Sequence, residues 1–362
     1  MSTDKLAKKA ARKQKEIAKW EKEKARPKKN YYFAYLVFII TLIYATDEIA
    51  SQIGTLMKTE IANDLFSSGS SVTLLNILSV LGVPFQAIGL IYRPFADKLG
   101  RKTFLIINTF GMSLALLVIF ISNNVLLYFI GACLIQFFIP HDMHVVYIME
   151  SAPAKHRART YSVIKFFANM SVMLVPVLRR YLMSTAAEWR NVYLIPAIVG
   201  LVVSFVALML ARETDAFIDS RLKHLRKTDE ELQQEKAEKK TSEAQGGLIN
   251  AFKFAMKHKQ LRWLFITATL ANLGFIASID YQVIMSYGYA ESIYNSISEA
   301  AMNAVSTGVV TSAIFLFPVG CSLAQVIMGF ISDAKGRKVA ALVTAFDCLV
   351  CFVGFWLGAK YN

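Results

Sequence analysis

The side chains equipped for chemistry in this sequence are few, and they interrupt stretches that are otherwise apolar. Asp47-Glu48 is the first such pair. Adjacent residues of a helix point about 100° apart, so at most one of the two would face a given cavity squarely, and either could take up and release a proton. His141-Asp142-x-His144 sets neutral imidazoles beside a carboxylate, a combination that relays protons or hydrogen-bonds a polar solute. The two histidines share a helical face, but no further ligand accompanies them, so no metal site is expected. Lys165 and Asn169 stand four apart, on one face of a helix. A cation there suits an anionic solute or pairs with Asp47, Glu48 or Asp142. Asp280, followed by Tyr281 and Gln282, would supply an opposing wall. These residues can bind and pass protons. They offer no nucleophile with its base and orienting acid, so neither enzymatic catalysis nor a cofactor is expected.

The elements that position them are membrane-spanning helices. Of 362 residues, 55% are hydrophobic and 18% charged, and the charge is concentrated between apolar runs of about 20 residues, each long enough to cross a bilayer. Nine such runs lie near 31–56, 71–96, 103–121, 125–148, 160–183, 191–211, 261–287, 305–332 and 339–358. An ionisable side chain inside such a run costs enough that function is its default explanation. The fold class is therefore all-α and polytopic. Lys and Arg fall overwhelmingly on one side if the N-terminus is cytoplasmic, which predicts a multi-pass protein of the cell membrane. Arg179, Arg180 and Arg190 oppose that bias locally. The formal charge of +14 reflects these loops, and nucleic acid is not an expected partner.

Four segments follow: a basic tail (1–30), a six-helix bundle (31–211), a charged linker (212–260) and a three-helix segment (261–362). The tail is rich in Ala, Lys and Glu, which favour helix, and either contacts anionic lipid or is solvated. The first thirty residues lack the apolar stretch of a cleavable signal peptide. In the linker, EELQQEKAEKK (230–240) reads as a polar helix and LINAFKFAMKHK (248–259) as an interfacial one. Cys133, Cys321, Cys348 and Cys351 fall within apolar runs, where packing is the expected role.

One loop occurs twice. Asp97-Lys-Leu-Gly100-Arg101-Lys102 follows the second run, and Asp333-Ala-Lys-Gly336-Arg337-Lys338 follows the eighth. Both occupy the second-to-third turn of a six-helix half, as parallel repeats would. Glycine permits the tight reversal, and the basic residues anchor the next helix at the headgroups. The acid implies a partner, either a nearby Arg or the amide end of a neighbouring helix.

With these residues the sequence closely resembles the major facilitator superfamily, whose signature loop is G-x-x-x-D-x-x-G-R-K. The copy beginning at Gly329 matches fully, and the first has Arg93 in place of the opening Gly. Glu150-Ser-Ala-Pro153-Ala-Lys-His-Arg157 is similar to the E-x-x-P-x-x-x-R turn of sugar porters and metabolite:proton symporters. The resemblance implies that Glu150 pairs with Arg101 and that Arg157 lies near Asp333, in a charge network that stabilises one state of an alternating-access cycle. Arg212-Glu213-Thr214 resembles the R-E-T-P-x-F ending of metabolite symporters, with Asp215 in place of Pro. The signatures of drug:proton antiporters and the P-E-S-P-R of sugar porters are missing.

The resemblance further implies two six-helix halves, of which this chain supplies six helices and three. We therefore expect a C-terminally truncated chain or fragment. The function expected is secondary transport of a small polar metabolite, such as a sugar or organic acid, coupled to protons. A membrane sensor or degenerate transporter is the alternative.

Overall fold

The computed structural model describes residues 3–27, 32–66, 71–92, 95–139, 143–152, 157–228, 231, 248–279 and 281–361. All regular structure among them is helical. Helix α1 (Thr3–Ala25) precedes α2 (Tyr32–Leu56), α3 (Lys58–Leu65), α4 (Ser71–Tyr92), α5 (Ala96–Leu99) and α6 (Arg101–Phe120). Next come α7 (Val125–Phe138), α8 (Met143–Ser151), α9 (Arg157–Ser171), α10 (Leu174–Leu182), a 3-10 turn at Ala186–Arg190 and α11 (Asn191–Leu210). The linker carries α12 (Asp215–Arg226) and α13 (Leu248–Lys257), followed by α14 (Lys259–Ile279) and α15 (Tyr281–Tyr294). The remainder is α16 (Glu299–Val305), a π-helical turn at Ser306–Val310, α17 (Thr311–Ile314), α18 (Leu316–Lys335) and α19 (Arg337–Tyr361).

Among the described residues, seven segments are long and apolar enough to cross a membrane: Tyr32–Leu56, Ser71–Gly89, Arg101–Phe120, Val125–Ser151, Arg159–Leu182, Ala186–Leu210 and Gly308–Lys335. The two other expected runs are helical as well. The run at 261–287 forms α14 and α15, either side of position 280, and the run at 339–358 lies within α19. The faces of α4 and α11 expose Ile77, Val80, Leu81, Phe205, Leu208 and Met209. A protein in water rarely leaves so continuous an apolar surface uncovered, whereas lipid solvates it.

Two compact units form. One combines Met1–Lys28 with Asp215–Ile279, the other Lys29–Thr214 with Asp280–Asn362. Within the first, α14 packs on α13; within the second, α15 packs on α3 and α16. In the first unit α1 lies along α12, with Trp20 edge-on to Phe217 at 5.6 Å between ring centroids. Glu16 pairs with Arg221 at 2.8 Å, Glu21 with Arg226 at 2.7 Å, and Lys24 with Asp219. Burial alone would raise the Glu16 carboxyl, but the hydrogen bond and charge of Arg221 outweigh it and hold the group below its ordinary value. The expected polar helix at 230–240 lies outside the described residues apart from Glu231.

In the second unit α2 packs against α6, α9 and α11, α6 against α7 and α11, and α18 against α9 and α19. Its interior divides into two apolar cores. Leu36, Ile40, Ile43, Leu105, Ile164 and Val203 belong to one. Ile53, Leu56, Met112, Leu116, Val175 and Val192 belong to the other. Each helix changes character where it passes from one core to the next. Thr46 and Asp47 mark that level on α2, Asn108, Thr109 and Ser113 on α6, Asn169 on α9 and Ser204 on α11, all buried. The bundle therefore carries a polar belt partway along its length, sealed by apolar layers on both sides.

Candidate functional site

The belt brings four ionisable side chains together in two pairs. Asp47 Oδ2 and His144 Nε2 are 2.5 Å apart, both residues almost wholly buried. Glu48, the next residue on α2, pairs instead with Lys165 of α9. The 100° step between neighbours thus aims one carboxylate at α8 and the other at α9, so both are used. The pairs are joined through Tyr44, one turn earlier on α2. Its ring stacks on His144 with centroids 4.1 Å apart, and Lys165 Nζ lies 4.6 Å above the same ring. Asp47 Oδ1 and His144 Nδ1 are buried without a hydrogen-bond partner among the described residues. Asn169 is buried one turn beyond Lys165. His141, Asp142 and Asp280 lie outside the described residues, so the histidine cluster is represented here by His144.

Chemically, a carboxylate against an imidazole holds one proton readily and can gain or lose it with little movement. The neighbouring ammonium is shared between a carboxylate and the face of an aromatic ring, where cations are attracted by the ring's quadrupole. An incoming polar solute with acceptor oxygens can compete for that ammonium.

At the end of the bundle that begins with α6, the repeated turns share one geometry. Gly100 has φ 103 and ψ 148, and Gly336 φ 88 and ψ 160, a region that only glycine occupies without strain. Gly100 N donates to Ala96 O at 3.1 Å and Gly336 N to Ser332 O at 3.0 Å. The carbonyls of both glycines then open the next helix, accepting from Phe104 N and Ala340 N. Arg101 pairs with Asp97 at 2.5 Å and with Glu150 at 3.2 Å. The expected approach of Arg157 to Asp333 is corrected: Arg159 reaches Asp333 at 3.4 Å, while Arg157 Nε donates to Ala152 O at 3.1 Å. A helix turn advances 100° per residue, so a two-position shift changes which arginine faces α18. Arg337 and Gly336 are exposed, and Pro153 lies outside the described residues.

Helix α9 follows α18 along this seam. Ser322 Oγ donates to Phe166 O at 3.2 Å. Gly329, which opens the second loop, lies so close to Ser162 that a Cβ would collide with it.

Glu213, which the sequence marked only through the Arg212-Glu213-Thr214 ending, is a member of this network. Its carboxylate accepts the backbone N–H of Lys102 at 3.0 Å, at the start of α6, and that of Thr214 at 3.1 Å. It therefore occupies the amide-rich helix end that was a possible partner for the loop Asp. Burial pushes its carboxyl up, against the pull of those amides. Thr214 Oγ1 donates to Glu150 at 2.5 Å, and Lys102 Nζ to Leu208 O at 2.9 Å.

The opposite end accounts for two of the three arginines that opposed the charge bias. Arg179 is buried against Glu60 of α3, and Arg190 pairs with Asp64 at 2.7 Å. Each is locally neutralised; Arg180 is exposed. Beside them Thr59 Oγ1 donates to Gln282 Oε1 at 3.1 Å, linking α3 to α15. Of these groups Gln282 and the three arginines had drawn notice in the sequence, but spacing gave no means of pairing residues more than a hundred positions apart.

The family profile of the Major Facilitator Superfamily matches residues 36–361. No curated protein matches the sequence. Similar solved structures include the xylose transporter XylE from E. coli in a partially occluded inward-open conformation, at 17% identity and a TM-score of 0.49, covering 84% of this chain and 74% of that one. A bacterial homolog of the human lysosomal transporter Spinster, inward-facing and occupied, is similar at 16% identity and a TM-score of 0.40, over 87% of this chain and 78% of its own. XylE in an inward-open conformation gives 16% identity and 0.40, over 92% and 90%. On the profile match across nearly its whole length, the chain belongs to the Major Facilitator Superfamily, whose members are membrane carriers and not enzymes.

Proposed function

We propose that this chain carries a small polar metabolite, such as a sugar or organic acid, across the cell membrane in symport with protons, its N-terminus cytoplasmic. The observation that carries the reading is the Asp47–His144 pair, buried in the polar belt and joined through Tyr44 to Glu48 and Lys165. The pair takes one proton from the acidic side, which neutralises its net negative charge. The solute binds alongside, its oxygens meeting Lys165 as that ammonium turns from Glu48. Release of both on the other side restores the starting charges, so solute and proton move together. Alternating access requires that seals at the two ends open in turn. Arg159–Asp333 and the ring of Asp97, Arg101 and Glu150 act at the cytoplasmic end. Thr59–Gln282 acts at the other. Placement of the repeated turns in the cytoplasm follows from the distribution of Lys and Arg.

The test is uptake by proteoliposomes of a panel of sugars, organic acids and amino acids, with and without an inward proton gradient. At least one solute should accumulate about tenfold more with the gradient, a difference equivalent to one proton driven by one pH unit. Uptake of a solute at equal levels with and without the gradient would contradict the coupling.

A further inference from the structure

The docking of α1 on α12 leaves a second face of α1 with a pattern of its own. Lys8, Arg12, Lys15, Lys19 and Lys22 follow one another at intervals of four and three, and Arg26, one residue past the helix end at Ala25, continues the spacing. At 100° per residue they fall within an arc of about 80°, and all six are exposed. Between Lys8 and Arg26 no acid shares that arc. Of the three acids in this stretch, Glu16 and Glu21 face the arginines of α12, and Glu23 falls about 20° beyond the arc. Lys13, which also lies off the stripe, donates to Lys227 O at 2.8 Å. The docked face and the basic stripe are thus different sides of one helix, and docking fixes the stripe outward.

We propose that this stripe binds the anionic phospholipid surface of the membrane that the same chain spans. Charge complementarity selects an anionic partner. The stripe holds no apolar side chain, so adsorption at the headgroups is favoured over insertion. Tethering selects lipid over a soluble acidic protein: Arg26 stands six positions before Tyr32, where α2 begins, a reach of at most about 21 Å. Through α12 the stripe would tie the linker to the membrane surface. The proposal rests on the cytoplasmic placement of the N-terminus for which leaflet is met, and not on proton coupling.

The test uses the full chain in lipid nanodiscs, whose two faces are both open, and reads amide hydrogen exchange over α1 rather than transport. Discs containing about 30% phosphatidylserine should slow that exchange about tenfold relative to phosphatidylcholine alone, because each basic residue near an anionic surface adds to adsorption. About 0.5 M salt should abolish the difference. Replacing Arg12, Lys15 and Lys22 together by Gln, which keeps helix propensity and leaves Lys19 over the docked Trp20 ring, should remove most of it too. Equal exchange of the unaltered chain in the two lipids at low salt would overturn the proposal. So would slowing that survives high salt, or slowing by soluble polyglutamate in neutral discs with none by phosphatidylserine.

Discussion

Two polar pairs, one buried and one partly buried, illustrate how little of a site a side chain reveals in isolation. Asp47 and Glu48 are adjacent, yet one meets an imidazole on α8 and the other an ammonium on α9. Their suitability for proton work was readable from charge inside an apolar run. Their partners were not, because pairing depends on which helices pack together. Tyr44 went unnoticed for the same reason: an aromatic in a membrane helix reads as packing until a cation and an imidazole are found on its faces. Glu60 and Arg179 form the tighter test of burial, with side-chain exposures of 0% and 1%. A lone buried charge is far costlier than a paired one, so Glu60→Gln should destabilise the chain by about 3–5 kcal/mol. Thermal unfolding in detergent checks this. Replacing both residues with apolar ones of similar volume should recover most of the loss; an equal or larger loss in the double variant would show that the charges themselves are needed.

Helices and turns carry the part of the fold that local sequence specifies. Apolar runs of membrane length marked out spans because lipid leaves the backbone no alternative but internal hydrogen bonds. The two D-x-x-G-R-K turns were recognisable for an equally local reason: only glycine takes a φ near +100° with extended ψ. Gly336→Ala meets no neighbouring atom within 4 Å, so its cost is backbone strain alone, about 1–3 kcal/mol. Gly100→Ala should cost a similar amount if the turns are true repeats, and unfolding temperatures of the two variants compare them directly. A loss at one position only would show that the likeness stops at the sequence. What local sequence did not specify is register across elements. Arg159 rather than Arg157 faces Asp333, and Glu213 rather than Asp97 meets the N-terminal amides of α6.

At the scale of the molecule, the polar belt between two apolar cores is the feature on which transport depends. It is built from residues on α2, α6, α9 and α11 that share no motif, and it emerges only when those helices are aligned. The placement of Asp97 and Asp333 on one side of the bilayer is the topological requirement. In a background lacking the four native cysteines, Asp97→Cys and Asp333→Cys should both react with an impermeant thiol reagent from the cytoplasmic side alone. Reaction from opposite sides would contradict parallel repeats.

The most direct measurement of the account is proton movement itself. With a pH-sensitive dye trapped inside proteoliposomes, adding the transported solute outside should acidify the lumen in step with solute entry. Asp47→Asn should remove that acidification while solute exchange at equal pH persists. Solute-driven acidification of undiminished size in Asp47→Asn would show that the buried pair does not carry the proton.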